Sequence, residues 1–302
     1  MPHDHHHHQM RFSDLLDKAT NFTAAKPMAF DDRPADEKFG YTCIRKDEAE
    51  LSEDERNRFK QAVKSLIQNG QFQALVGEHV KMADYRMHGW GEDRLGLNRF
   101  LAWHRKYLTE LEKLIGRADV ELSGTTTPIG LPYWRWSKNR QFPTWLIDLL
   151  PVFGSDGPGS TAEPRQNGNG VDDRAKELPT VIQIRDLLAN YSAKVPVAEA
   201  SLNDYEKFTY CLEGYVSALP AHNQVHVWVG GVMNTEWSPA DPIFWLHHCE
   251  IDRLWAAWQT SHQTSHPPYP KQSLQLKPWT DTNYNSVLDT ESCGYRYDTL
   301  DA

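Results

Sequence analysis

The sequence has few cysteines and no excess of positive charge. Its four cysteines are scattered through 302 residues and form no CxxC pair, so neither a zinc ribbon nor a dense disulfide scaffold is expected. A reducing compartment fits this pattern best, although Cys43 and Cys293 could pair if the protein is exported. The net charge of -9 and the pI near 5.9 give no basic stripe for a phosphate backbone, so we expect no nucleic-acid partner.

Long apolar segments are also missing. No stretch approaches the roughly 20 apolar residues of a membrane span, and the first residues lack the apolar region of a signal peptide. We therefore expect a soluble, cytoplasmic protein without a membrane partner. The composition favours folding, because 39% of the residues are hydrophobic and 11 are tryptophans, whereas a disordered chain lacks such aromatics.

The N-terminal part differs from the rest of the chain. Residues 1–9 contain a histidine cluster, which indicates an expression tag or a metal-binding tail and is left out of the fold prediction. Residues 10–42 are mixed and polar and predict an irregular N-terminal arm. Regular hydrophobic spacing begins only after this arm.

Apolar residues at helical spacing predict a mainly α-helical protein with long loops. The predicted helices cover about 55–68, 71–85, 99–116, 203–218, 220–230 and 242–259. Ser52 and Glu55 form a capping box before the first helix, and Gly116 is expected to close the third. The glycine-rich segments 87–98 and 154–176 predict loops. Two pairs of histidine-bearing helices indicate a four-helix-bundle core.

Histidines are concentrated on these helices. Of 14 histidines, five belong to the N-terminal cluster and nine follow it. His222 and His226 are four residues apart, so both imidazoles leave one helix face and can share a metal, with His248 on the next helix as a third ligand. A single helical histidine is more often a structural core residue, but three converging ones favour a metal site. His247 points roughly 100° away from His248 around the helix, which favours a supporting or core role.

Imidazole ligands alone do not select the metal. Copper, zinc, iron and nickel all accept three neutral imidazoles with an open position. A zinc hydrolase that uses only histidines is therefore an alternative at this point.

Several segments resemble the copper-binding signatures of one family, the tyrosinases, catechol oxidases and o-aminophenol oxidases. Two segments resemble the copper-B signature: HNQVHVWVGG at 222–231 and SPADPIFWLHHCEIDRLWAAWQ at 238–259. A third segment, FLAWHRKYL at 100–108, resembles the copper-A signature. LPYWRW and the Tyr-x-Tyr segment GYRYD at 294–298 resemble further family motifs. The resemblance covers about residues 43–300, is strongest to the short bacterial members, and implies one catalytic domain over 43–302 with few short strands.

The resemblance implies two copper ions, with O2 as co-substrate. His222, His226 and His248 would form site B, while His79 and His104 would be the first and third ligands of site A. The family places its middle site-A ligand nine residues before the third, where this chain has Leu95.

Leucine cannot bind copper, so the middle ligand must come from elsewhere. His88 lies in the same glycine-rich loop, which can move a ligand further than a helix can, and we predict that His88 takes the place that Leu95 leaves. The alternative is a two-histidine or impaired site A. No cysteine stands near either residue in the sequence, so the thioether crosslink of many relatives is expected to be absent.

By the same resemblance, monophenols are hydroxylated in the ortho position, and o-diphenols or o-aminophenols are oxidised to o-quinones. Glu213 and Asn223 match the family pair thought to hold a proton-accepting water, which favours activity on monophenols. Met233, Glu236 and Trp237 stand where the family has its substrate entrance. A carboxylate there would favour phenols that carry an amine.

The end of the sequence carries further expectations. Arg45 resembles the family arginine that packs on the Tyr-x-Tyr motif, here Tyr295 and Tyr297. The chain ends soon after this motif, so no shielding C-terminal segment is expected, and a separate copper chaperone is the implied partner. Three alternatives stay open: a catechol oxidase without monophenol activity, an O2 carrier of the hemocyanin kind, and an inactive variant whose site A is impaired by Leu95.

Overall fold

The computed structural model describes residues 43–89, 94–167, 177–267 and 274–302, and these residues are mainly helical, as predicted. Within them lie eight α-helices: α1 Glu53–Gln68, α2 Gln71–Val80, α3 Met82–Tyr85, α4 Leu95–Ser123, α5 Val181–Lys194, α6 Asp204–Glu213, α7 His222–Val229 and α8 Ile243–Gln259. Two short strands, β1 Cys43–Arg45 and β2 Tyr295–Tyr297, pair in parallel. The predicted tail 1–9 and arm 10–42 lie outside the described residues, as does the second half of the predicted loop 154–176.

The first helix forms as the sequence predicts, whereas the second predicted helix, about 71–85, is divided into α2 and α3. Ser52 accepts a hydrogen bond from the Glu55 amide at 3.2 Å, and the Glu55 carboxylate accepts one from the Ser52 amide at 2.9 Å. Gly70, at φ 83°, turns the chain directly into α2. There Phe72, Leu75 and His79 share the buried face, because residues three and four apart point the same way. The tight turn therefore directs His79 into the interior.

The helix α4 is longer than predicted at both ends. It begins at Leu95, inside the predicted loop 87–98, and continues through Gly116 to Ser123, so the prediction that Gly116 closes it was wrong. An isolated glycine costs a helix only about 1 kcal/mol relative to alanine. Beyond Gly116, the buried Asp119 binds Arg58 of α1 at 2.6 Å, and this pairing holds the last turns in place.

The C-terminal helices are shorter than predicted. The helix α6 ends at Glu213 rather than at 218, because Gly214 adopts φ 108°. The helix α7 begins at His222 rather than at Pro220, since Ala221 has a non-helical backbone. The helix α8 begins at Ile243, with Pro242 rather than Asp241 at the N-cap position, although the Asp241 carboxylate accepts a hydrogen bond from the Ile243 amide at 3.1 Å.

One helix, α5, was missed. Thr180 and Gln183 form a capping box at its start, and Ile184, Leu187 and Tyr191 follow at helical spacing on its buried side. The capping box and this spacing are both visible in the sequence. The helix packs against α6 and so supports the segment that ends at Glu213.

Four helices, α2, α4, α7 and α8, carry all but one of the histidines that converge in the interior; His88 lies in the loop before α4. The long helix α4 packs against α1, α6 and α8, and α7 packs against both α6 and α8. Among the described residues, none of the helices is long and apolar enough to cross a membrane.

The two strands place Arg45 against the Tyr-x-Tyr motif, as predicted. Arg45 pairs with Tyr297 in the sheet register, and its guanidinium lies 3.4 Å from the Tyr295 ring centroid. It also binds Glu112 of α4 with two hydrogen bonds, of 3.0 and 2.8 Å. The thiols of Cys43 and Cys293 near these strands are free, so the pairing considered for an exported protein is not formed.

A buried carboxylate joins Arg45 and the Tyr-x-Tyr motif to α8. Asp252 lies one turn after His248 and accepts hydrogen bonds from Tyr295 at 2.5 Å and Tyr297 at 2.6 Å. Arg105, the neighbour of His104 on α4, donates to the same carboxylate at 2.6 Å. Since Arg105 and Asp252 each adjoin a histidine of the interior, their ion pair fixes the rotation of α4 relative to α8.

Candidate metal centre

Two clusters of histidines meet in the interior. One contains His79, His88 and His104, and the other contains His222, His226, His247 and His248. Within each cluster, one nitrogen of every imidazole lies within 4.8 Å of the others. The clusters adjoin, because the rings of His104 and His248 stack with centroids 4.3 Å apart. The structure thus brings together all six histidines that the sequence singled out.

In the first cluster, the imidazoles turn their Nε2 atoms toward one another. Nδ1 of His79 lies 2.8 Å from the Glu236 carbonyl oxygen, and Nδ1 of His104 lies 2.8 Å from the Phe100 carbonyl oxygen. Carbonyl oxygens only accept, so Nδ1 carries the proton and Nε2 has a free lone pair. Among the described residues, Nε2 of His79, His88 and His104 has no hydrogen-bond partner. The three nitrogens are available to a metal.

The second cluster has the same arrangement at two of its histidines. Nδ1 of His226 donates to the Met233 carbonyl oxygen at 2.6 Å, and Nδ1 of His222 lies 2.9 Å from Asn223 Oδ1. The Nε2 atom of His248 lies 3.2 Å from Nε2 of His222 and 3.3 Å from Nε2 of His226. The three Nε2 atoms therefore converge on one point.

His247 differs from its neighbours in the position of its proton. The indole N–H of Trp136, which can only donate, lies 3.1 Å from His247 Nδ1. Nδ1 is then the acceptor, and a neutral His247 carries its proton on Nε2. Neither nitrogen has a lone pair left for a metal, which agrees with the supporting role predicted from its helical position.

Burial keeps these imidazoles neutral. Desolvation, followed by repulsion between neighbouring histidines, lowers the pKa of His79, His104, His222 and His248 well below the usual value. Desolvation also lowers the pKa of His226 to about 4. Neutral imidazole is the form that binds copper or zinc. These five neutral imidazoles, together with His88, form two groups of three that fit a pair of metal ions.

Two phenylalanines border the histidines on both sides. The Phe100 ring lies 4.9 Å from the ring centroids of His104 and His222, and the Phe244 ring lies 4.1 Å from that of His248. Both side chains are fully buried. They exclude water and strengthen electrostatic interactions inside the centre.

Glu213 and Asn223 both lie beside the histidines but face different neighbours. Glu213 Oε1 accepts a hydrogen bond from the Gly89 amide at 3.1 Å and lies 3.5 Å from His88 Nδ1. Glu213 Oε2 is buried and has no partner among the described residues. Asn223 is exposed and contacts His222. No hydrogen bond joins the two side chains within the described part of the chain.

The predicted entrance residues act in the structure mainly through their backbone. The carbonyl of Met233 holds His226 and the carbonyl of Glu236 holds His79, while the Met233 side chain is buried. The Trp237 ring packs edge-on against Phe153 at 5.4 Å. Sequence analysis missed these carbonyl contacts, because every residue type carries the same carbonyl and no side-chain pattern marks it. The aromatic borders Phe100 and Phe244 were visible, four residues before His104 and His248.

Comparison with known proteins gives consistent results. The family model described as "Common central domain of tyrosinase" matches residues 69–261. A tyrosinase of Streptomyces glaucescens is 34% identical over 285 residues, which span 85% of this chain and 99% of that protein. Grixazone synthase of Streptomyces griseus is 29% identical over 311 residues, with 84% of this chain and 99% of that protein covered.

A solved structure shares the fold. An oxygen-bound mutant of Aspergillus oryzae pro-tyrosinase superposes with a TM-score of 0.54 at 19% identity, covering 86% of this chain and 71% of that one. At this identity the similarity concerns the backbone arrangement.

Proposed function

Because this chain belongs to the tyrosinase family of copper oxidoreductases, we propose that its two histidine triads hold a copper pair at which O2 oxidises phenols to o-quinones. The observation that carries the proposal is the convergence of six imidazoles, three in each cluster, with ring nitrogens that lie within 4.8 Å of one another. Site A would consist of His79, His88 and His104, and site B of His222, His226 and His248. When bound, the copper pair supplies the redox chemistry that reduces O2.

The proposed oxidation has two overall reactions, one for each substrate class. A monophenol and one O2 give an o-quinone and one water. Two o-diphenols and one O2 give two o-quinones and two waters. In the first form the ring gains an oxygen atom in the ortho position, and in the second it loses only electrons and protons.

The monophenol reaction requires a proton acceptor, since a free phenol has a pKa of about 10. Glu213 is buried beside site A, and its Oε2 atom has no partner among the described residues. A water held by Oε2 and by the Asn223 amide would accept the phenol proton and keep the charge close to Glu213. This role agrees with the family pair to which both residues correspond.

The substrate would approach along the segment that follows α7. Glu236 and Trp237 are partly exposed there, and Met233 closes its inner side. The Glu236 carboxylate would attract phenols with a positively charged amine and repel benzoates. Its partial exposure limits this effect to a few-fold in KM, because water and salt screen the interaction. Copper delivery by a separate chaperone is a further part of the proposal.

A second candidate is the oxidation of o-diphenols or o-aminophenols without hydroxylation of monophenols. One observation favours it: within the described residues, Asn223 Oδ1 contacts Nδ1 of His222, so Asn223 has a partner among the proposed ligands that does not depend on a water. Substrates that are already diphenols do not require that water.

The decisive experiment combines copper analysis with oxygen consumption. The protein loaded with copper should bind about two ions per chain and consume O2 with a monophenol and with an o-diphenol. Activity on the o-diphenol alone would select the second candidate. Two coppers with reversible O2 binding and no turnover of either substrate would contradict both and indicate a carrier.

A further inference from the structure

We propose that Gly96 and Glu213 together fix His88 in site A, and so allow a loop histidine to replace the ligand that is missing at Leu95. This inference rests on the proposed function, since it concerns how one of the six ligands is held. Gly96 and Glu213 are called the positioning pair below. Neither residue would bind copper itself.

Gly96 creates the space in which the loop runs. A Cβ atom at Gly96 would lie 2.1 Å from the His88 carbonyl oxygen and 2.4 Å from the Gly89 carbonyl oxygen. Both atoms belong to the backbone, so no side-chain rotation could relieve the contact. The backbone at 88–89 therefore lies directly against the first turn of α4, in which Gly96 is the second residue, after Leu95. Any side chain at position 96 would push His88 away from the cluster.

Glu213 contacts the same two residues through its carboxylate. Its Oε1 atom accepts a hydrogen bond from the Gly89 amide at 3.1 Å, which tethers the loop backbone. The same oxygen lies 3.5 Å from His88 Nδ1, a distance at which the charge acts more than a directed hydrogen bond does. A nearby carboxylate favours the tautomer with the proton on Nδ1. His88 Nε2 then keeps its lone pair for the metal.

Tyr215 supports Glu213 in this role. Burial, and next the Glu213 charge, raise the pKa of Tyr215 above its ordinary value, so its hydroxyl stays protonated and donates to Glu213 Oε1 at 3.4 Å. Oε1 thus serves the loop, whereas Oε2 has no partner among the described residues. The two oxygens would therefore act separately: Oε1 positions His88, and Oε2 is available to the water of the proposed reaction.

His88 needs this support more than the other ligands of site A do. His79 lies on α2, and His104 lies in the middle of α4, where each Nδ1 bonds to a carbonyl at 2.8 Å. His88 follows α3 outside any helix, so its position depends on contacts made by the loop. Its ring nevertheless lies 4.7 Å from that of His104 and 5.4 Å from that of His79.

The first test is Gly96→Ala, with Gly116→Ala as a matched control. Both glycines lie on α4, but a Cβ at Gly116 would meet only Pro128, at an ordinary 3.6 Å. Alanine favours a helix at both positions. We expect Gly96→Ala to bind about one copper per chain instead of two, while Gly116→Ala binds two. If Gly96→Ala keeps two coppers with unchanged affinity, the role of Gly96 is wrong.

The second test is Glu213→Gln, compared with Glu110→Gln. Glutamine at position 213 can still accept the Gly89 hydrogen bond, so the fold is retained while the charge near His88 is removed. We expect one of the two coppers to bind about 10- to 100-fold more weakly, as for other residues that orient a metal ligand. Glu110→Gln removes a carboxylate of α4 that pairs with Lys106 and should keep both affinities within a few-fold. Equal copper affinities in Glu213→Gln and the wild type would overturn the role of Glu213.

These readouts separate the inference from the function on which it rests. Copper affinities are measured by chelator competition, and the fold is checked by far-UV circular dichroism of the metal-free proteins. A wild type that binds two coppers but oxidises no phenol would refute the proposed function, and the copper titrations would still decide the role of the positioning pair. Normal copper binding by both variants would refute the positioning role even in an active enzyme.

Discussion

The two histidine clusters are built in different ways. The proposed site B would take two ligands from neighbouring turns of α7 and the third from α8. The proposed site A would take one ligand from α2, one from α4 and one, His88, from the loop before α4. Regular helices position the histidines of site B, whereas His88 of site A lies in a loop whose backbone meets α4 at Gly96. The comparison teaches that equal ligand sets need not be equally tolerant of change.

The largest effect is expected from the removal of a helical ligand in site B. His248→Ala should abolish oxidase activity, because the loss of a ligand removes the copper. The protein should stay folded, because Asp252 still binds α8 to Arg105 and to the Tyr-x-Tyr motif. His247→Ala is the matched control on the same helix and should retain two coppers, because Nδ1 of His247 already accepts from Trp136. Copper analysis of both variants checks this. Loss of copper from His247→Ala but not from His248→Ala would show that the ligand register on α8 is wrong.

In site A, the corresponding substitution removes the loop histidine, His88. His88→Ala should lower the copper content from about two to about one per chain and remove O2 binding, because both metals are required. Leu95→His should be neutral or should compete with His88 for the metal. Copper content and O2-dependent absorption spectra of the two variants measure this. If His88→Ala has no effect and Leu95→His creates activity in an inactive protein, site A is impaired in the wild type.

Acid should affect the metal-free protein before it affects the copper-loaded one. The pKa of His226 falls from 6.5 in the unfolded chain to about 4 in the folded protein, mainly through burial. The unfolded state therefore binds more protons between these values, and the free energy of unfolding decreases as the pH falls from about 6.5 to about 4. The other buried histidines act in the same direction. Melting temperatures of the metal-free and the copper-loaded protein are measured from pH 8 to pH 4. Below pH 6.5, the melting temperature of the metal-free protein should fall below that of the copper-loaded protein. A flat profile for the metal-free protein would contradict the neutral, buried state of these imidazoles.

The smallest effect concerns the proposed water. Asn223→Asp should change the ratio of monophenol to o-diphenol turnover by a few-fold to tenfold, because it alters a proton acceptor and leaves all six ligands in place. Steady-state kcat/KM for the two substrate classes gives this ratio. Equal losses on both classes would mean that Asn223 acts on His222 and on copper rather than on a water.

The proposed site B follows from the sequence more directly than the proposed site A does, for a physical reason. His222 and His226 lie on one helix, and helical geometry alone brings them together. His88 and His104 are brought together by a loop whose path depends on Gly96 and Glu213, and no local pattern encodes that path. The extent of α4 was mispredicted for a similar reason. The ion pair between Arg58 and Asp119 outweighs Gly116, and this contact joins residues far apart in the chain.

The segment between α7 and α8 has a consequence for attempts to change the substrate range of the protein. Its carbonyl at Met233 accepts a hydrogen bond from His226, a proposed ligand of site B, and its carbonyl at Glu236 accepts one from His79, a proposed ligand of site A. Exchanging side chains there alters the approach of the phenol but leaves both carbonyls in place. Adding or deleting a single residue would shift one carbonyl relative to the other and misalign the two metals together. Variant libraries in this segment should therefore change its composition and preserve its length.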